Sequence, residues 1–185
     1  MPIGFASIGV GGTSVREWLP RGSRFERQPT TGANCWKCSD GGFESTGSLF
    51  NRLSERLVYF GPSGIKAVLW HQGESDAGQA RGGYPPDRQI TGKDYRQYME
   101  TLILQSRKVA RWDVPWFVAL ATYHSEADAS DEEFRQAQKS VTELERVYLG
   151  PDSDTLRAEF RDGVHFNERG LKAHAKLWSD AIESK

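Results

Sequence analysis

The stretch Leu69-Trp-His-Gln-Gly-Glu-Ser-Asp76 does most to decide the fold of this chain. It overlaps the end of the apolar run 65–70, which has the length and composition of a buried strand. Polar residues crowded at the end of such a strand are typical of α/β proteins, because an open parallel sheet binds ligands at the carboxyl ends of its strands. The stretch therefore predicts both a parallel sheet and a functional site at its edge.

Two more polar clusters lie at comparable places, far away in the sequence. The turn Gly11-Gly-Thr-Ser14 follows the apolar run 3–10, and Asp162-Gly-Val-His165 comes just before a helical pattern that begins at Asn167. The carboxyl ends of parallel strands share one edge of a sheet. We therefore expect all three clusters to meet at that edge.

Strand and helix patterns alternate along the rest of the chain. We predict strands at 3–10, 65–70, 115–122 and, more weakly, 147–149, and helices at about 46–60, 93–111, 130–146 and from 167 onward. The segments 20–47 and 77–93 have the composition of loops. This alternation predicts a three-layer α/β/α sandwich with a mostly parallel, flavodoxin-like sheet.

Length and charge narrow the class of protein. A chain of 185 residues suits a single domain, 1–185. With 24 basic and 25 acidic residues, the net charge of -1 argues against nucleic acid or an anionic membrane as the main partner. The apolar runs are too short to span a bilayer, and no signal-peptide pattern is present. Secreted, periplasmic and cytoplasmic locations all remain compatible with the sequence.

The only cysteines form the motif Cys35-Trp-Lys-Cys38 within a loop-like segment. A structural zinc site needs four ligands, and no second Cys or His pair stands nearby. A thioredoxin-like motif would sit where a strand meets a helix, which is not expected here. We predict free thiols or a local disulfide, and no metal or organic cofactor.

The three clusters contain the groups that an acyl-transfer site needs. Asp162 can accept a hydrogen bond from the Nδ1–H of His165, which leaves Nε2 free as a general base. The alternative is an ordinary Asp-Gly turn followed by a solvated histidine. The Gln72 amide and the backbone N–H of Gly11 or Gly12 can donate to an oxyanion. Taken together, the clusters favour the catalytic interpretation.

The nucleophile is harder to find. Gly73-Glu-Ser75-Asp-Ala77 has the spacing of a nucleophile elbow, but that motif needs a helix directly after the serine. Glycines and prolines follow Ser75 instead, so it is a weak candidate. Ser7 is expected to point into the sheet region and Ser14 to cap a short helix, and neither position suits a nucleophile.

On these residues the chain resembles the SGNH hydrolases, and most closely the carbohydrate O-acetylesterases related to sialate O-acetylesterase and acetylxylan esterase. Ile8-Gly-Val-Gly-Gly-Thr-Ser14 resembles their second block, in which Gly11 best matches the oxyanion-hole glycine. Trp70-His-Gln-Gly-Glu-Ser-Asp76 resembles the third block, in which Gln72 takes the place of an asparagine. Asp162-Gly-Val-His165 resembles the last block, which carries the acid and the base of the triad.

The resemblance implies a serine esterase that removes O-acetyl groups from carbohydrate without a cofactor. The family's serine lies in a first block at the end of the first strand, and this sequence contains no such segment. A flavodoxin-like strand order would put that strand between 3–10 and 65–70. We therefore expect an N-terminally incomplete domain, completed by a longer chain or by an oligomer. The alternative is a catalytically inactive relative that binds glycans or proteins.

Four further side chains are expected to stand around the sugar pocket. His71 and Glu74 flank Gln72, and Glu74 can orient either the loop or His71. Tyr123 and His124 follow the predicted strand 115–122, so they are expected at the same edge of the sheet.

Overall fold

A computed structural model describes residues 4–29, 32–77 and 88–185. The chain forms a mixed α/β fold. The α-helices are α1 (Ser48–Gly64), α2 (Glu74–Ala77), α3 (Gly92–Ala110), α4 (Glu132–Ser140) and α5 (Glu168–Glu183). The strands are β1 (Arg24–Phe25), β2 (Cys35–Lys37), β3 (Phe43–Ser45), β4 (Val68–Trp70), β5 (Trp116–Leu120), β6 (Val147–Asp152), β7 (Arg161–Asp162) and β8 (His165–Phe166).

The central sheet is parallel, with the strand order β4-β5-β6. Every residue of β5 is buried, because helices cover both faces of the middle strand. Trp116 and Val118 face the main core, which α1, α3 and α4 complete. On the other face Phe117 packs against Tyr148 with ring centroids 5.1 Å apart, and α5 packs on β6. The predicted α/β class and parallel sheet are confirmed.

The predicted strand at 3–10 is wrong for the described residues 4–10. They form no strand and are mostly exposed, and Phe5 is 82% exposed. A strand needs a neighbour to complete its hydrogen bonds. β4 pairs with β5 on one side, and no described residue pairs with its other edge. Ser7 is accordingly exposed instead of pointing into a sheet.

The segment predicted as the loop 20–47 contains a small antiparallel sheet in the order β1-β3-β2. Its strands are two or three residues long, too short to show a period of two. Cys35 lies in β2 and Cys38 follows it, and both thiols are free. Three residues of extended chain span about 10 Å, whereas a disulfide joins Cα atoms at most about 7 Å apart. A local disulfide is therefore incompatible with β2.

The helices follow the sequence prediction more closely. α3 and α4 begin where expected, and the Asn167 side chain caps α5 by accepting from Gly170 N at 2.9 Å. However, α4 ends earlier than predicted. In α5 the apolar side chains of Leu171 and Ile182 are 57% and 40% exposed. The buried residue of α5 is Gly170, which packs so closely on the carbonyl of Phe160 that no Cβ would fit. Residues 78–87 of the predicted loop 77–93 lie outside the described residues.

A buried carboxylate holds the N-terminal part of the chain to the loop after β4. Asp76 accepts hydrogen bonds from Ser14 Oγ at 2.5 Å, from Val15 N at 2.8 Å and from Gln72 Nε2 at 2.7 Å. The Arg16 guanidinium lies 3.9 Å away, and both charged side chains are fully buried. Burial raises the pKa of Asp76, while the Arg16 charge and these hydrogen bonds oppose the rise.

The predicted capping role of Ser14 is confirmed. Its side chain caps the N-terminus of the 3₁₀ helix Val15–Trp18. The Glu17 carboxylate completes a capping box by accepting from Ser14 N at 2.9 Å. The buried Arg16 guanidinium also donates to the carbonyl oxygens of Arg27 and Arg88. The buried Arg16 guanidinium thus has acceptors for its N–H donors, as a charged group in the core requires.

Replacing Asp76 should strongly destabilise the protein. In Asp76→Ala, three donors lose their acceptor and the buried Arg16 charge loses its counter-ion, at a cost of about 3–5 kcal/mol. Urea unfolding followed by tryptophan fluorescence measures the change. The control Asp180→Ala removes only an exposed ion pair with Lys176 and should leave the midpoint nearly unchanged. Equal effects of the two variants would contradict the role of Asp76.

Candidate functional site

The glycine turn and the loop that carries Gln72 meet at the carboxyl end of β4, and the hairpin that carries the third polar cluster packs beside them through Phe166. Gln72, two residues past the strand, donates from Nε2 to the backbone oxygen of Thr13 at 3.2 Å. On the other side, the His71 ring lies 6.1 Å from the Phe166 ring, measured between centroids. Thr13 belongs to the glycine turn and Phe166 directly follows His165. Segments from both ends of the chain therefore flank the same two residues.

Gln72 is held by hydrogen bonds at its side-chain nitrogen, its side-chain oxygen and its backbone oxygen. Its amide nitrogen donates to Asp76 and to Thr13 O, and its side-chain oxygen accepts from Tyr95 OH at 3.2 Å. Its backbone oxygen accepts from Tyr95 OH at 2.8 Å and from Gln138 Nε2 at 3.2 Å. Both amide hydrogens thus have acceptors in the protein, and the Thr13 contact is the longer of the two.

Gly73 allows the loop to pass close to the sheet. A Cβ at this position would collide with the Gln138 amide and with the carbonyl oxygen of Ala121. Any larger residue would move the loop away from β5 and take Gln72 with it. The glycine in the His-Gln-Gly-Glu stretch is therefore explained by packing.

Gly11 and Gly12 form an exposed turn beside Thr13, and Gly12 has a φ of 73°. Neither amide donates to any described residue. The turn is fixed from behind, since Thr13 Oγ1 donates to Val10 O at 2.8 Å and accepts from Trp18 Nε1 at 3.0 Å. Both predicted oxyanion glycines thus lie next to the turn residue that Gln72 contacts.

Asp162 and His165 lie directly opposite each other in the β7–β8 hairpin, whose turn has Gly163 at φ 65°. Side chains of such a pair project from the same face. Both side chains are exposed, and among the residues the structure describes no hydrogen bond joins them. The other cross-strand pair, Arg161 and Phe166, makes contact with the body of the protein.

An aromatic cluster beneath the hairpin was not foreseen from the sequence. The ring of His174 lies 4.8 Å from that of His71 and 4.5 Å from that of Phe166, between centroids. Trp178 Nε1 donates to His174 Nε2 at 3.1 Å. The only signal in the sequence is the spacing of four between His174 and Trp178 on α5, which places two ring side chains on one helix face.

The hydrogen bonds of Ser153 determine where the proton of His71 resides. Ser153 Oγ donates its single hydrogen to Leu120 O at 2.8 Å, so at its 3.0 Å contact with His71 Nε2 it must accept. His71 therefore carries its hydrogen on Nε2, and its bare Nδ1 faces Glu74 Oε1 at 3.6 Å. Burial raises the pKa of Glu74, while hydrogen bonds from backbone N–H groups oppose the rise.

Tyr123 and His124 lie on the loop after β5, as predicted, but they differ in accessibility. Tyr123 is only 3% exposed, and its OH donates to Glu126 at 2.8 Å. Its ring therefore supports the loop from inside and offers little surface. His124 is partly exposed, with Nδ1 3.5 Å from Asp128 Oδ2.

Ser75 lies inside α2, so the expectation that no helix follows the loop at once is wrong. The elbow motif nevertheless needs its nucleophile at the turn between strand and helix. Here that turn is 71–73, and Ser75 is the second residue of the helix. The geometry of a nucleophile elbow is therefore absent at Ser75.

Within residues 4–29, 32–77 and 88–185, no group of three or more His, Cys, Asp or Glu side chains is arranged to hold a metal ion. None of the helices that the structure describes is both long enough and apolar enough to cross a membrane.

The stability of the protein should fall as the pH drops from 6.5 to 4. Burial lowers the pKa of both His71 and His174 from 6.5 to about 4, and the Arg161 charge adds to the effect. In that window the unfolded chain binds protons that the folded chain resists, so the stability is fully present only above pH 6.5. Urea unfolding at a series of pH values measures the slope.

The two imidazoles can be separated from the carboxylates that titrate in the same range. His174→Phe keeps a ring in the cluster and removes one titrating group, so the pH slope should become shallower. His165→Gln changes an exposed histidine on the hairpin and should keep the slope of the unchanged protein. A slope unaffected by His174→Phe would contradict this account of the cluster.

Residues 1–183 match the family model described as carbohydrate esterase, sialic acid-specific acetylesterase. No curated protein and no solved structure matched the chain. Since the family match covers nearly all of the sequence, the chain belongs to the sialic acid-specific acetylesterase family of carbohydrate esterases.

Proposed function

We propose that this domain hydrolyses O-acetyl esters of a sialic acid-type sugar by serine-based acyl transfer. Family membership supports O-acetyl ester hydrolysis as the reaction class. The observation that supports the residue assignment is the pair of contacts beside the end of β4, one between Gln72 and the glycine turn and one between His71 and Phe166 of the hairpin. In the proposal these segments supply the N–H donors and the imidazole that acyl transfer requires.

In this proposal the nucleophilic serine reaches the rim on a strand that pairs with the free edge of β4. No described residue pairs with that edge, and residues 4–10 form no strand. An open edge in the middle of a parallel sheet exposes unpaired backbone groups and apolar side chains. A strand in that slot, running parallel to β4, would end at the same rim as Gln72. Upstream sequence or a second chain supplies it.

The reaction then follows from the positions of the groups. The serine Oγ attacks the acetyl carbonyl carbon while His165 Nε2 takes the hydroxyl proton. The tetrahedral oxyanion accepts from the N–H of Gly11 or Gly12 and from Gln72, whose longer bond to Thr13 O opens. His165 returns the proton to the sugar oxygen as the C–O bond breaks. Water activated by His165 hydrolyses the acetyl-serine, and acetate leaves.

Asp162 orients the imidazole in this scheme. It stands across the hairpin from His165, so rotation of the two side chains brings a carboxylate oxygen to Nδ1–H. Catalytic hydrogen bonds are often open without substrate and close in the complex. His71, Glu74 and His124 supply polar groups near the rim for sugar hydroxyls, while Tyr123 supports their loop from within.

The second candidate is a glycan-binding module without catalysis. It is favoured by one observation: both Gln72 amide hydrogens already have protein acceptors, so the oxyanion position is not open in this state. In that case the rim would bind an acetylated sugar without cleaving it, and the edge of β4 would be covered by something other than a serine-bearing strand.

Hydrolysis of p-nitrophenyl acetate and of O-acetylated sialic acid tests the proposal, using this chain extended by its own encoded upstream sequence. We expect the extended chain to release acetate from both esters. His165→Ala should lower kcat by about 10²–10⁴-fold, as expected for loss of the general base. Gln72→Ala should lower it by about 10²–10³-fold, as for one oxyanion donor.

Ser75→Ala is the matched control, because Ser75 is the alternative nucleophile in the same loop region. Activity should survive this substitution. A Ser75→Ala variant that is folded and inactive, with Gln72→Ala only weakened, would replace the proposed serine by Ser75. A folded extended chain that binds acetylated sugar but never hydrolyses it would support the binding module instead.

A further inference from the structure

Arg161 is a buried arginine that binds backbone oxygens instead of carboxylates. It is 8% exposed, and no carboxylate in the described part of the chain lies within ion-pair distance of its guanidinium. Its Nε donates to Leu156 O at 2.5 Å, Nη1 donates to Val164 O at 2.7 Å and Nη2 donates to Ser153 O at 2.9 Å. The side chain thus joins three carbonyl groups on different parts of the backbone.

The guanidinium is also held between two aromatic rings. Its Cζ lies 4.0 Å from the ring centroid of Tyr123 and 4.2 Å from that of Phe166. Arginine stacks on aromatic faces because its charge is delocalised over a plane, and burial strengthens such cation–π contacts. The rings fix the plane of the guanidinium while the carbonyls fix its rotation within that plane.

These contacts link the hairpin to both neighbouring strand ends. Tyr123 follows β5, Ser153 and Leu156 follow β6, and Val164 is in the turn between Asp162 and His165. We propose that Arg161 is a positioning residue that fixes the β7–β8 hairpin, and with it the general base, relative to the carboxyl ends of β5 and β6. The link to catalysis rests on the proposed esterase function, whereas the clamp itself does not.

The geometry explains why lysine could not replace this arginine. Three donors must point in three directions within one plane that also fits between two rings. A guanidinium offers five N–H groups in such a planar fork, whereas an ammonium offers three around a single tetrahedral nitrogen. A lysine would keep the charge and lose most of the clamp.

Arg107 provides a matched control. It is also 8% exposed, and it donates to backbone oxygens, from Nε to Val114 O and from Nη2 to Arg146 O, both at 3.1 Å. It lies near the end of α3, away from the hairpin. Its replacement therefore removes a similar buried guanidinium without touching the proposed clamp.

The test compares Arg161→Met, Arg161→Lys and Arg107→Met by amide hydrogen exchange, read by NMR on this chain. Both Arg161 variants should raise the amide exchange rate in the hairpin 161–166 by about tenfold or more relative to β5. The hairpin opens more easily because it has lost the hydrogen bonds that the charged guanidinium donates. Arg107→Met should leave that ratio unchanged, even at a similar loss of thermal stability. If Arg161→Met does not fold, Arg161→Lys carries the comparison.

Catalysis gives an independent second measurement on the extended, active chain. In the Arg161 variants the proposed base, His165, is displaced. This should lower kcat for p-nitrophenyl acetate by about tenfold or more with little change in KM. Equal hairpin exchange in the Arg161 and Arg107 variants would overturn the clamp. A loosened hairpin with unchanged kcat would overturn the positioning role. If even the unsubstituted extended chain is inactive, the esterase proposal fails, and hydrogen exchange still decides the clamp.

Discussion

The geometry of the site depends on the buried carboxylate of Asp76. A charge in the core is stable only when paired and hydrogen-bonded, and here the partners come from two distant segments, Ser14 with Val15 and Gln72. Removing any one of them would leave buried polar groups unsatisfied. The glycine turn and the loop after β4 are therefore locked together before any ligand binds.

The hairpin that carries Asp162 and His165 is held in a different way. Asp162 and His165 stand on a two-stranded hairpin with exposed side chains, and the hairpin reaches the body mainly through its other face. On that face Arg161 packs on the ring of Tyr123, and Phe166 packs against the neutral imidazoles of His71 and His174. The glycine turn and the Gln72 loop are thus anchored by a buried ion pair, whereas the hairpin is anchored by aromatic stacking and backbone carbonyls.

Sequence patterns predicted the elements whose burial is periodic or complete. β5 is apolar throughout and α3 has a buried stripe, and both were found near the predicted bounds. The cap of α5 at Asn167 was also predictable, because it is a local interaction. The prediction of a strand at 3–10 was wrong for a non-local reason, since an apolar run forms a strand only when another strand pairs with it.

The candidate site was predictable as a set of clusters but not as a network. The polar stretches at strand ends indicated Gln72 and His165 as candidates, yet nothing local marks Asp76 as the anchor of Gln72. Arg161 and His174 were not predicted either. Their partners lie on other elements, at no regular spacing in the sequence. Such contacts are set by tertiary packing, which a linear pattern does not encode.

The convergence of distant segments beside β4 is most directly tested by nuclear Overhauser effects in solution. We predict cross-peaks between the ring protons of His71 and those of both Phe166 and His174, whose ring centroids lie 6.1 Å and 4.8 Å from that of His71. Their presence would support a hairpin that rests against the loop bearing Gln72. Assigned His71 and Phe166 rings with no mutual cross-peak in a folded sample would contradict the account.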